Sequence, residues 1–175
     1  MNLATQLAST AHGISGLTRI EQAQHCCSPA IQLERAGEFD AAREALSSFW
    51  PELAGQPIVQ GLDRQTTAEV LLRLGALMGW LGGANQSQRQ ESAKDLITRS
   101  IEIFTELSEP EQVAEAQSDL ALCYWREGGF DEARVNLAEA LDRVRDGNGD
   151  LKAMIFIRAA EVERSSGCFN DAEVP

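Results

Sequence analysis

The sequence has few of the side chains that catalysis or metal binding requires. Its only histidines are His12 and His25, and it contains no P-loop, no HExxH motif and no recognisable context for a nucleophilic Ser, Thr or Cys. Residues 146–150 begin like a calcium-binding loop, but Leu151 stands where that loop needs a glycine and Ile157 where it needs a bidentate glutamate. We therefore expect a protein that is not an enzyme and that holds no metal or other cofactor.

Basic residues and long hydrophobic runs are also scarce. The 15 Lys and Arg are outnumbered by 27 Asp and Glu, which gives a net charge of −12. Binding to nucleic-acid phosphates or to an anionic membrane requires a basic surface, so we expect neither as a partner. The longest run without a polar side chain, residues 74–84, is about half of the ~20 residues that a membrane-spanning helix needs. The first 18 residues lack the basic start of a secretory signal.

The four cysteines follow neither a disulfide nor a zinc pattern. Cys26 and Cys27 are adjacent, Cys123 and Cys168 stand alone, and there is no CxxC motif. We interpret all four as reduced thiols of a cytoplasmic protein. His25 precedes the adjacent pair, but a zinc site needs four ligands at matched spacing, so we expect the pair to line the core as small hydrophobic residues.

A short phrase recurs along the chain. Residues 37–42, 128–133 and 167–172 all read Gly-x-Phe-Asp/Asn-x-Ala. This predicts a tight turn between two helices: the glycine ends one helix, the Phe fills the gap, and the Asp or Asn caps the next helix. A fourth turn is predicted at Gly82, before a polar insert at 83–91 in which Ser87 and Gln90 are a candidate capping box.

The segments around these turns have helical periodicity. Apolar residues recur every three or four positions, and no stretch alternates with period two. We therefore predict an all-α chain of antiparallel helical hairpins, with connectors at 51–67 and 145–150. Ser108 is predicted to cap the helix before Gly128, and Pro29 to kink the first helix or restart it at Ser28.

The turn glycines divide the chain into an N-terminal segment, residues 1–22, and an array over residues 23–175. The N-terminal segment is ambiguous, with a short extra helix as one interpretation. The predicted repeats cover about 23–56, 66–107, 110–145 and 150–175, and the last is incomplete. A lone leading helix leaves its apolar face uncovered. We therefore expect either further repeats beyond Pro175 or coverage by a partner or a second copy.

The third repeat resembles the tetratricopeptide repeat, whose signature is Trp-x2-Leu-Gly-x2-Tyr followed by Ala-x3-Phe. The matching residues in this repeat are Leu120, Ala121, Tyr124, residues 128–133, Leu137 and Ala140. The second repeat keeps Leu74, Gly75 and Met78. The resemblance covers roughly residues 23–175 and implies hairpins stacked in a right-handed superhelix, or α-solenoid. The periods exceed the usual 34 residues, as in extended variants from bacterial regulatory and signalling proteins.

In that family the leading helix of each hairpin lines a concave groove, so the resemblance implies a set of partner-binding residues. The groove candidates are Cys27, Ile31, Glu34, Arg35, Leu72, Arg73, Ala76, Trp80, Ser118, Asp119, Leu122, Trp125, Arg126, Ile157, Glu161 and Arg164. Trp80 and Trp125 occupy nearly equivalent places, and either groove anchors or ordinary core would explain them.

The resemblance also allows one family function to be tested. Chaperone-binding members hold a C-terminal carboxylate with basic and amide side chains. At the corresponding places only Arg73 is basic, and Glu115 and Asp119 would repel a carboxylate. We therefore do not expect this chain to bind chaperone tails.

The sequence thus favours a non-enzymatic scaffold that binds a neutral or basic peptide or protein segment in its groove. Two alternatives remain open. One is a ligand- or peptide-sensing domain of a bacterial regulator. The other is a self-association module that forms a homo-oligomer through the uncovered C-terminal repeat.

Overall fold

The computed structural model describes residues 16–52, 55–81, 86–145, 147 and 149–170. This part of the chain contains seven α-helices and no strand, which confirms the predicted all-α class. The helices are α1 (Arg19–Arg35), α2 (Phe39–Ala45), α3 (Arg64–Trp80), α4 (Gln86–Glu106), α5 (Pro110–Arg126), α6 (Phe130–Arg143) and α7 (Gly149–Asn170). The extra helix considered for the first residues lies outside the described residues, as do the last five. Among the described helices none is both long and apolar enough to cross a membrane.

The helices pack in chain order. Each helix contacts the next one, and in addition α1 contacts α3, α3 contacts α5, and α5 contacts α7. The odd-numbered helices therefore lie side by side, and we call them the odd layer. Within the described residues the buried apolar side chains form two clusters, one over α1–α5 and a smaller one over α5–α7, with Tyr124 against both. The core thus extends along the chain instead of surrounding one centre.

Two of the three repeated phrases form the predicted turn. Gly37 and Gly128 have φ of 76° and 80°, the left-handed conformation that glycine adopts without steric cost. The predicted caps are wrong in detail. α2 and α6 begin at the phenylalanine, their N-cap residues make no side-chain cap bond, and Asp40 and Asp131 lie in the first helical turn. There a carboxylate still interacts favourably with the helix dipole.

The third phrase does not form a turn. Gly167 lies inside α7, which continues to Asn170, and its φ is not in the left-handed region. A glycine permits a turn but does not enforce one.

Several predicted boundaries also need correction. α2 ends at Ala45, and Leu46, Phe49 and Trp50 are buried in the turn that follows it. α1 runs unbroken through Pro29 from a capping box at Thr18, so there is no restart at Ser28.

Ser108 does not cap α5. It has a φ of 59°, Glu109 occupies the N-cap position, and α5 starts at Pro110, which suits the first turn because it has no N–H to leave unpaired. α4 begins at Gln86, inside the predicted polar insert. Gln90 is therefore helical and buried, and its side chain donates to the Gly79 carbonyl instead of forming a capping box.

Three cysteines are buried as free thiols, as the sequence indicated: Cys26, Cys27 and Cys123. Burial raises the pKa of Cys27 and of Cys123 to about 12, so these thiols stay protonated. The Cys168 side chain lies outside the described residues. Among the described residues, no three His, Cys, Asp or Glu side chains are grouped so that they could hold a metal ion.

Candidate functional site

A buried arginine connects three helices of the odd layer. The Arg73 side chain, in the middle of α3, is only 6% exposed. Its Nη1 donates to Glu34 Oε2 of α1 at 3.2 Å, and its Nη2 donates to Glu115 Oε1 of α5 at 2.8 Å. Asp119 Oδ2, one turn further along α5, lies 3.6 Å from the same Nη2. One guanidinium is therefore shared by three carboxylates.

The network continues from α5 to α7. Arg158 Nη1 lies 2.7 Å from Asp119 Oδ1 and donates to Ser118 Oγ at 2.7 Å. Opposite charges thus alternate across the four odd-numbered helices. We call this group the charge ladder; its members are Glu34, Arg73, Glu115, Asp119 and Arg158. Because a buried ion pair is costly unless each charge finds its partner, the ladder favours one register of these helices.

The charges within the ladder are not equally satisfied. Burial raises the pKa of Glu34 to about 7, since the attraction of Arg73 is outweighed by burial together with the repulsion of Asp119 and Glu115. The second oxygen of Glu34, Oε1, is buried and has no hydrogen-bond partner among the described residues. Burial alone would lower the pKa of Arg73, but the three carboxylates raise it above the ordinary arginine value.

A second group lies at the end of α3. The Trp80 indole stacks on the Phe39 ring with centroids 4.9 Å apart, and the Arg126 guanidinium carbon lies 3.4 Å from the Trp80 ring centroid. We call these three residues the Trp80 stack. Trp80 is nevertheless 41% exposed. Cation–π and offset-stacked contacts hold an aromatic ring in place without covering it.

Gly79 allows Arg126 to approach α3. A Cβ at this position would lie 3.1 Å from Cys123 Sγ and 3.3 Å from Arg126 Nη1, so any side chain would displace them. Burial lowers the pKa of Arg126 to about 10, and its Nη2 has no hydrogen-bond partner within the part of the chain that the structure describes. The guanidinium is therefore held by packing on Trp80 and not by a carboxylate.

The structure separates the predicted groove residues into five groups. Glu34, Arg73, Ser118 and Asp119 come together in or beside the charge ladder, and Trp80 and Arg126 in the Trp80 stack. Cys27, Leu72, Ala76 and Leu122 are buried. Ile31 is half-buried, and Trp125 is half-buried against the smaller core cluster. Arg35, Ile157, Glu161 and Arg164 are exposed.

Three residues of the charge ladder and the Trp80 stack are not among the predicted groove residues. Glu115 was named only at a place of the carboxylate clamp, and the other two are Arg158 and Phe39. Arg158 is next to the predicted Ile157 on α7, and Phe39 was assigned only to filling a turn. A usable signal exists for the ladder: Arg73 and Asp119 are charged residues within strongly apolar helical segments, where an unpaired charge is costly. Such residues predict that a partner exists, but not which residue it is.

Comparisons with known proteins assign no family. The chain matches no protein-family model, no curated protein and no solved structure at a significant level. A functional interpretation of this chain therefore depends on the geometry of the odd layer, with its charge ladder and its exposed Trp80.

Proposed function

We propose that this chain is a non-enzymatic interaction module that binds a peptide or protein segment on its odd layer. The proposal includes a tetratricopeptide-like arrangement, a right-handed superhelix of hairpins whose leading helices line one surface. Its support is the order of helix contacts, in which each odd-numbered helix packs on the next odd-numbered helix. In repeat arrays of this kind the leading helices offer an extended binding surface.

The observation that carries the proposal is the exposure of Trp80. A tryptophan that is stacked on Phe39 and Arg126 is already ordered. The Trp80 side chain therefore loses little conformational entropy when a partner covers it. Tryptophan and arginine are also the residues most enriched among binding hot spots. Ile157, 61% exposed on α7, adds an apolar group to the same layer.

The charge of the chain indicates the kind of segment that would bind. A net charge of −12 attracts a basic segment, repels an acidic one and leaves a neutral one unaffected, mainly through the association rate. The cations within the charge ladder are already neutralised by carboxylates. We therefore propose a neutral or basic segment with an apolar or aromatic anchor for Trp80.

The test is selection of peptides from a random display library on the whole chain, followed by affinity measurement with variants. We expect Trp80→Ala to weaken binding of the selected peptides about tenfold or more. Val135→Ala is the matched control, because Val135 is a similarly exposed apolar residue on α6, outside the odd layer. If both variants bind as the wild type does, Trp80 is not part of the binding surface and the proposal fails.

A second candidate function is a small-ligand-sensing domain. A hollow of about 560 Å³ lies between residues 55–57 and α4, with Met78, Asp95 and Arg99 among its lining residues. This volume is within the range of small-molecule sites. A thermal-shift screen of small metabolites tests it, because a specific ligand raises the unfolding temperature by mass action. Loss of such a shift in Arg99→Ala would assign the ligand to this hollow.

A further inference from the structure

Glu34 is the carboxylate of the charge ladder that has the weakest support for its charge. Glu115 makes the shorter bond to Arg73 and is partly exposed to water, and Asp119 has Arg158 as a second cation. Among the described residues Glu34 has only its 3.2 Å contact with Arg73 and no partner for its buried Oε1, and its side chain is 11% exposed. Of the three carboxylates, Glu34 therefore has the fewest favourable contacts for a negative charge.

Glu34 also belongs to the turn that positions Phe39. Its backbone carbonyl accepts from the Gly37 N–H at 3.0 Å, and the Leu33 carbonyl accepts from the Glu38 N–H at 2.8 Å. Phe39 follows directly and stacks on Trp80. The side chain of Glu34 and the ring of Phe39 thus attach the same turn to α3 at two points.

The two attachment points share one face of α3. Arg73 and Trp80 are seven residues apart, which is about two helical turns, so their side chains project from the same side of the helix. A displacement of the turn at the Arg73 end therefore also changes the contact at the Trp80 end.

From this geometry we propose that Glu34 is a pH-dependent switch: the protonation of its carboxyl group controls the contact of Phe39 with Trp80. With a proton on its carboxyl group, Glu34 remains buried beside Arg73 and the turn remains packed against α3. Without the proton, the carboxylate is repelled by Glu115 and Asp119 and is drawn towards water, which loosens the turn. Regulation of partner binding by this switch rests on the proposed function of Trp80, whereas the switch itself does not.

The surroundings of Glu34 place its titration near neutral pH. Burial raises its pKa to about 7 with help from Asp119 and Glu115, and Arg73 opposes the shift. From its own helix Glu34 faces the Cys27 thiol, whose pKa it raises slightly in addition to burial. None of the charged residues of α2 forms a hydrogen bond or ion pair with Glu34; these residues are Asp40, Arg43 and Glu44.

NMR titration of the whole chain without any ligand tests this proposal. The Glu34 carboxyl carbon and the Trp80 indole N–H are followed from about pH 5 to about pH 8. We expect both resonances to titrate with the same midpoint, at about 7. In Glu34→Gln we expect the indole resonance to lose this pH dependence and to stay at its low-pH position.

Glu115→Gln is the matched control, since it removes another carboxylate of the same arginine. We expect it to keep the indole titration but to lower the midpoint, because a repulsion on Glu34 is gone and Arg73 is less shared. A Glu34 midpoint near the ordinary value of 4.5, or an indole titration that persists in Glu34→Gln, overturns the proposal. Failure of peptide binding leaves these titrations unchanged, so the two proposals fail separately.

Discussion

Gly75 determines how closely α3 and α4 approach each other, and replacing it with alanine tests this packing. A Cβ on residue 75 would lie 2.6 Å from Ile97 Cγ1 and 3.0 Å from the Ala93 carbonyl oxygen. Ile97 and Ala93 are both fully buried. Since a backbone carbonyl cannot rotate away as a flexible side chain can, the two helices have to move apart.

Two opposing terms set the size of the effect. Alanine is favoured over glycine by about 1 kcal/mol in a helix interior. Overpacking a well-packed core costs about 1–3 kcal/mol, and a contact as short as 2.6 Å belongs at the upper end of that range. We therefore expect Gly75→Ala to lower the free energy of unfolding by about 2 kcal/mol.

Urea unfolding followed by far-ultraviolet circular dichroism measures this change, with Gly167→Ala as the matched control. Gly167 is also inside a helix, but no neighbouring atom of the described residues lies within 4 Å of its added Cβ. We expect Gly167→Ala to raise the free energy of unfolding by about 0.5–1 kcal/mol. If residue 167 instead formed the left-handed turn that the sequence pattern indicates, alanine would be strained there and the sign would reverse.

A double-mutant cycle identifies the source of the strain. In the Gly75→Ala background, Ile97→Ala removes the Cγ1 atom that the new Cβ meets. The double mutant should therefore lose less unfolding free energy than the sum of the two single mutants. A Gly75→Ala variant as stable as the wild type would refute the close packing of α3 on α4 at this position. Additive changes in the cycle would show that Ile97 is not the atom group that resists the substitution.

Three further predictions concern the charges and caps. Arg73→Met leaves Glu34 and its neighbours without their shared cation, so we expect a loss of about 3–5 kcal/mol in the free energy of unfolding by urea. Asp63→Ala removes the acceptor for the Thr66 N–H, 2.7 Å away at the start of α3, and should cost about 1 kcal/mol in the same assay. Since folding raises the pKa of Glu34 from 4.5 to about 7, its ionisation penalises the folded state above pH 7, and the penalty disappears as the pH falls to 4.5. Glu34→Gln should therefore exceed the wild type in unfolding free energy by up to about 3 kcal/mol above pH 7 and by little near pH 4.5, and equal pH profiles would contradict this.

The helical content and two of the turns were predictable because their causes are local. Apolar residues at helical spacing and a left-handed glycine before a phenylalanine act within one or two turns of chain, and Gly37 and Gly128 behave as expected. The same pattern at Gly167 failed, because this residue lies inside α7 and its φ is not in the left-handed region. Local patterns therefore indicate where a turn is permitted, but they do not enforce it.

The candidate site was only partly predictable because its contacts are long-range. Arg73 meets Glu34 and Glu115, which are 39 and 42 residues away, respectively. Trp80 and Trp125 look equivalent in the sequence, but Trp80 stacks at the protein surface and Trp125 packs against the smaller core cluster. Which aromatic residue is exposed depends on the neighbours that packing brings to it.

By itself, the sequence determined the all-α class, the positions of the turns at Gly37 and Gly128, and an acidic surface, because hydrophobic periodicity, glycine stereochemistry and charge counts depend on neighbouring residues or on composition alone. Only the tertiary structure decided that Arg73 serves three carboxylates, that Glu34 is the one disfavoured as an ion, and that Trp80 is held while exposed. These properties depend on burial and on distances between helices, and neither exists until the odd-numbered helices pack together.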